Sequence, residues 1–181
     1  MRWSIRIIFF SVSCVIFLQL CTVHLTRAAR RAGYADIVYQ NQEVLKEFNH
    51  NLYLGRNLSR EISRKNIVTV EDEVYAKVDF IVAKVETVLD MFPEGIHFRL
   101  VILRDRGEVA KAYRQSFNKK VNYKAYYSLP QKTIYISAED TSLRVLSHEI
   151  AHMVVDHFFE VRPPYNIHEL MAQFAEKHVA D

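Results

Sequence analysis

The chain has 181 residues, 50% of them hydrophobic and 12% aromatic, enough to build one core. Its formal charge of +3 belongs to the first 30 residues, which hold four Arg and no acid; the remaining 20 basic residues face 21 acidic ones, a net of −1 that excludes a nucleic-acid footprint. Both cysteines, Cys14 and Cys21, also lie there, so the rest of the chain has no disulfides and no thiolate metal ligands at its disposal.

Residues 1–30 read as a signal peptide or an N-terminal membrane anchor. An apolar run from Ile5 to Leu25 follows Arg2, and its strongest part, Ile7 to Leu20, has signal-peptide length, whereas the full run is long enough to cross a bilayer. Arg27, Arg30 and Arg31 beyond it resist translocation and favour a retained anchor, with the domain outside the cytoplasm or, if cleaved, secreted. Residues 31–67 are polar and charge-rich and read as a linker or pro-segment, with a short helix around Tyr34 to Phe48.

From residue 68 a folded domain is expected. Glu71-Asp72-Glu73 open a helix whose Val74, Val78, Ile81, Val82, Val85, Val88 and Leu89 recur at helical spacing, and Phe92-Pro93-Glu94-Gly95 end it. His97 to Leu103 is a strand, and Glu108 to Phe117 a shorter helix. Asn122 to Ser128 and Lys132 to Ser137 form an antiparallel hairpin around Leu129-Pro130-Gln131.

Directly after the hairpin stands His148-Glu149-Ile150-Ala151-His152. Residues four apart on a helix lie about 40° apart around its axis, so His148 and His152 project from one side and can close on a single Zn²⁺. Glu149 lies about 100° round, beside the metal, where it can accept a proton from water as general base. Leu143, Leu146, Ile150, Met153, Val154 and His157 form one stripe and the two motif histidines lie opposite, which predicts an amphipathic helix over 141–158 with Asp140 as N-cap.

A catalytic zinc takes three protein ligands and leaves a fourth position for water. An extended motif with Gly at 155 and His at 158 is excluded by Val155 and Phe158. His157 belongs to the apolar stripe. Glu169 is better placed: Pro163-Pro164 break the helix, and a second helix follows in which Ile167, Leu170, Met171 and Phe174 form the buried stripe and Glu169 lies on a flank. Glu169 could instead do no more than cap that helix, as the N3 carboxylate of an Asn166 N-cap. The remaining histidines, His168 among them, are expected to be structural or solvated.

These residues carry a family likeness. An HExxH helix, a loop, and a second helix with Glu169-Leu170-Met171-Ala172-Gln173-Phe174 resemble the gluzincin zinc metallopeptidases, most closely the small peptidase MA-like or minigluzincin members. The likeness spans roughly residues 68–180 as an order of elements, with its specific motifs between 141 and 176. It implies an α+β zincin domain over 68–181, with a small mixed sheet whose antiparallel hairpin packs on the HExxH helix and a C-terminal glutamate helix. It also implies one Zn²⁺ per chain held by His148, His152 and Glu169, with Glu149 as base. Two positions depart from the pattern: His168 stands where many relatives have Asn, and Gln173 replaces an acid that often orients a ligand histidine. By the same likeness the first hairpin strand forms the upper rim of the cleft, where backbone groups of Ala125 and Tyr126 pair with an extended peptide.

The expected activity is zinc-dependent endopeptidase hydrolysis of peptide or protein substrates; the alternative is a catalytically silent or latent zinc-binding interaction module tethered to a membrane. The group that stabilises the oxyanion is left open among Tyr165, His168, His178, the hairpin tyrosines and a partner.

Overall fold

The computed structural model describes residues 26–27, 33–62 and 67–181. The leader expected over residues 1–25 lies outside them, and among the described residues no helix is long and apolar enough to cross a membrane.

The fold is mixed α+β. Its sheet has the strand order β1-β2-β3-β5-β4, from β1 (Thr26–Arg27), β2 (Ala35–Tyr39), β3 (Phe98–Leu103), β4 (Ala125–Ser128) and β5 (Thr133–Ser137). The inner three are parallel, in register Ile37↔Leu100 and Leu100↔Ile134, and both outer strands are antiparallel. The helices are α1 (Gln42–Asn51), α2 (Gly55–Ile62), α3 (Val70–Leu89), α4 (Arg106–Phe117), α5 (Leu143–Phe158) and α6 (Tyr165–His178).

Alternation along the strands sorts the side chains between two cores. Ile37, Leu100, Ile102, Ile134 and Ile136 point to the larger one, built with α1, α3, α5 and α6. Val38, Val101, Leu103 and Tyr126 point to the other face, which Val109 of α4 covers. Buried inner strands flanked on both faces are what a parallel sheet requires.

Over 31–67 a linker or pro-segment was expected, and residues 35–62 instead supply a strand and two helices packed into the main core. All five residues of β2 are buried between β1 and β3. In α1, Asn41 caps the first turn by accepting from the Glu43 and Val44 N–H groups, and Val44, Leu45 and Phe48 turn inward. Leu52, Leu54, Leu58 and Ile62 continue the apolar face. The high charge that suggested a solvated stalk sits on the outer side of these helices; the inward stripe is only one residue in three or four, and composition averages it away.

Elsewhere the expected elements are present with small shifts. In α3 the Thr69 hydroxyl and Asp72 carboxylate form a reciprocal capping box, three acids favour the positive helix start, and the helix ends at Asp90 in the left-handed region. The strand predicted over 97–103 is β3, the helix over 108–117 is α4, and the hairpin is β4 and β5 joined by a 3₁₀ turn. Asp140 is not the cap of α5. It accepts from Arg106 Nε at 2.8 Å and from Ser137 Oγ at 2.9 Å, and Ser142 caps the helix instead by accepting from the Val145 N–H. This tie pins the start of α4 to the turn before α5.

Phe48 is fully buried in the main core. Phe48→Ala is expected to lower unfolding free energy by about 3–5 kcal/mol, as for a core aromatic. Urea unfolding followed by circular dichroism measures this, and a change under about 0.5 kcal/mol would return residues 33–62 to the role of spacer.

Candidate metal centre

Helix α5 is buried over most of its circumference: Leu146, Ser147, Ile150, Ala151, Met153, Val154 and Val155 are all at 0% exposure. The remaining strip carries His148, Glu149 and His152. His157 is turned away, its Nδ1 against the Met153 carbonyl at 2.8 Å, which removes it as a ligand.

Beyond Phe158, Pro163-Pro164 prevent α5 from continuing, and Pro164 starts α6 as its N-cap. Asn166 is therefore inside the helix, and the arrangement in which Glu169 merely caps an Asn166 start is absent. The buried face of α6 also differs from expectation. His168, Ala172, Ala175 and Val179 face inward, whereas Ile167, Leu170 and Phe174 are exposed and Met171 is half-buried. Small residues on the inner face let α6 approach α5 closely, as large ones would not. That close approach brings Glu169 to the histidines.

The His148 and His152 Nε2 atoms are 3.2 Å apart. Glu169 Oε2 lies 3.7 Å from His148 Nε2 and its Oε1 3.4 Å from His152 Nε2. Ligands about 2.0–2.1 Å from a tetrahedral zinc stand about 3.3 Å from one another, so this spacing suits the ion. Among the described residues these three are the group able to hold a metal.

The outer nitrogens explain why the inner ones converge. His148 Nδ1 lies 3.1 Å from Glu176 Oε2, and a carboxylate offers only acceptors, so Nδ1 carries the proton and Nε2 a lone pair. His152 Nδ1 lies 2.7 Å from His168 Nδ1, and His168 Nε2 lies 3.1 Å from Asp156 Oδ1. Asp156 accepts from His168 Nε2–H, so a neutral His168 presents a lone pair at Nδ1. His152 must then donate from Nδ1, which leaves its Nε2 with a lone pair too. Two nitrogen lone pairs and a carboxylate thus face one another with no donor between them, an arrangement that a cation resolves. Burial first, and then the neighbouring His148, His168 and Arg162, hold the His152 pKa down to about 3, so the imidazole is neutral and ready to ligate.

Glu149 is buried beside this group. Desolvation pushes its carboxyl up to about 8 against the opposing hydrogen bond from the Tyr127 backbone N–H, and the charges of Glu169 and Glu176 add to the rise. A divalent cation opposite would draw it back down, toward the value a base needs at neutral pH.

A cleft of about 330 Å³ opens over these residues. Ala125 and Tyr126 both line it, as do Tyr127, Arg162 and Tyr165. β4 is an edge strand. Because the Ser137 N–H donates to the Lys124 carbonyl and Tyr126 pairs with Tyr135, the backbone groups of residues 124, 126 and 128 face β5 and those of Ala125 and Tyr127 face the open edge. The Tyr127 N–H lies near Glu149 and works to lower its carboxyl pKa. Of the two rim residues expected, Ala125 therefore presents its backbone to the cleft, and Tyr126 contributes a wall, its ring stacked on Tyr135 with centroids 4.8 Å apart.

Four residues of this site were not anticipated in their roles: His168, Asp156, Arg162 and Glu176. Glu176 does what an acid at position 173 was expected to do. It lies seven residues beyond Glu169, two turns on and nearly the same helix face, so a search along that face rather than at one fixed offset would have found it. Compared with family models, with curated proteins and with solved structures, the chain matches none.

Partners that orient a metal-bound histidine usually contribute 10–100-fold to affinity. Glu176→Ala, at a half-exposed position, is expected to weaken zinc binding by about tenfold, and His168→Ala by more, since it unpairs both His152 and Asp156. Competition against a chromophoric chelator checks both.

Proposed function

We propose that the chain is a zinc-dependent metalloendopeptidase of gluzincin type, with a retained N-terminal anchor or cleaved leader that puts the domain outside the cytoplasm. The observation that carries this reading is the convergence of two imidazole lone pairs and the Glu169 carboxylate, with a buried fourth side chain, Glu149, that binding a metal would not require.

His148, His152 and Glu169 would hold a zinc ion, which would supply Lewis acidity toward a water and a substrate carbonyl. The chain's own residues do the rest. Glu149 accepts the proton of the attacking water and passes it to the leaving amine, its desolvated carboxyl holding that proton readily between the two transfers. The free backbone edge at Ala125 aligns an extended peptide along β4.

Tyr165 is the group best placed to donate to the scissile carbonyl oxygen as it becomes tetrahedral. It starts α6, lines the cleft, and stays exposed beside the Glu169 carboxylate, whose charge keeps the phenol's pKa above its ordinary value. His168 is spent on His152 and Asp156, and His178 on Asp181 at 2.7 Å, so neither is free for the role.

The test is zinc content and peptide cleavage by the full chain. One zinc per chain is expected, with Glu149→Gln keeping its zinc and losing roughly 10²–10⁴ in kcat. Tyr165→Phe should lose about 10²–10³ in kcat at unchanged zinc content. Zinc in the wild type with no hydrolysis would transfer the assignment to a silent or latent zinc-binding module, and absence of zinc would end both readings.

A further inference from the structure

Arg162 is the sole Lys or Arg among the described residues lining the cleft. It stands in the loop between α5 and α6. Its Nε forms an ion pair with Asp156 Oδ1 at 3.0 Å, and the two side chains differ sharply in exposure, 1% for Asp156 and 52% for Arg162. The buried carboxylate therefore pairs with a guanidinium that stays half-exposed and lines the open cleft.

Arg162 supplies the countercharge to the buried Asp156, since His168 Nε2 donates to the same oxygen from a neutral ring, yet the guanidinium itself stays half-exposed on the cleft side. The guanidinium lines the same cleft as His148, His152 and Tyr127. Among the residues lining the cleft Arg162 is the one fixed cation the chain itself offers to a carboxylate, apart from any ion held by His148, His152 and Glu169.

We propose that Arg162 is a specificity residue that binds a carboxylate of the substrate, so that the site prefers peptides carrying an anionic group within a residue or two of the bond to be cut. The inference rests on the peptidase reading for its substrate class. A peptide offers two such anions, its C-terminal carboxylate and the side chain of Asp or Glu, and a planar guanidinium pairs with either through two parallel N–H donors. Because Asp156 holds the head group in advance, little side-chain freedom is lost on binding. An extended chain advances about 3.4 Å per residue, and a cleft of this size leaves room for only a short segment between Arg162 and the metal ligands.

The experiment measures binding separately from catalysis. Zinc-loaded full-length Glu149→Gln is titrated with three blocked peptides of otherwise identical sequence: one with a free C-terminal carboxylate, one amidated with an internal Glu, and one amidated and neutral. At least one anionic peptide should bind about tenfold tighter than the neutral one, with an advantage that shrinks as salt rises. Which anionic peptide wins identifies the carboxylate. Adding Arg162→Met should bring the ratio to about one. Arg162→Lys keeps the charge without the fork and should leave a partial preference, and it serves if the methionine variant fails to fold.

Equal binding of all three peptides to Glu149→Gln would overturn the inference. Wild-type cleavage of these peptides without discrimination would do the same and leave the peptidase reading standing. A preference that Arg162→Met removes, in a zinc-loaded chain that cleaves none of the three, would uphold the carboxylate site and overturn the peptidase reading.

Discussion

Two imidazole nitrogens whose lone pairs face each other at 3.2 Å repel, and the surroundings of His148 and His152 are built to hold them there. Each ring is gripped from behind, one by Glu176 and the other by His168, and each grip sets the tautomer that turns a lone pair forward. His168 is in turn held by Asp156, and Asp156 also holds Arg162. Remove the rear contacts and the rings are free to rotate away from one another, taking the ligand geometry with them.

This arrangement depends on how closely α5 and α6 pack. Ala172 and Ala175 form the inner face of α6, and no bulk stands between the helices except His168, which is there to make contact. The larger apolar residues Leu170 and Phe174 are left outside. Exposing them has a solvation cost of about 1.5–3 kcal/mol each relative to full burial, and the orientation persists because turning them inward would force the helices apart and withdraw Glu169. The sheet supplies the other wall: β4 at its edge brings Tyr127 beside Glu149, and so sets the proposed base next to the strand proposed to receive a substrate.

Much of this was legible in the chain. Helical spacing from Val74 to Val85, the β-branched runs of β3 and β5, and the HExxH pattern each depend on near neighbours, and near neighbours are what periodicity reports. The three candidate ligands could be brought together on paper because a helix determines the relation of His148 to His152, and a proline pair followed by a helix restart brings Glu169 back. Residues 33–62 were harder. Ala35 to Tyr39 is a short strand whose place between β1 and β3 depends on partners far along the chain, one of them some sixty residues away, and its neighbours' charge hid the buried stripe of α1.

The sequence by itself determined the candidate chemistry, two histidines and a glutamate suited to a metal with a further carboxylate beside them, and that the elements carrying them were helices joined by a proline turn. These follow from local geometry and the donor properties of His and Glu. Only the tertiary structure decided which face of α6 was buried, which residue capped α5, and which groups stood behind the ligands. Those choices came from competition between distant surfaces. On α6 the apolar stripe and the small-residue face were both available, and contact with α5 selected the latter because the chain's close approach there brings Glu169, His168 and Glu176 within reach of two histidines at once.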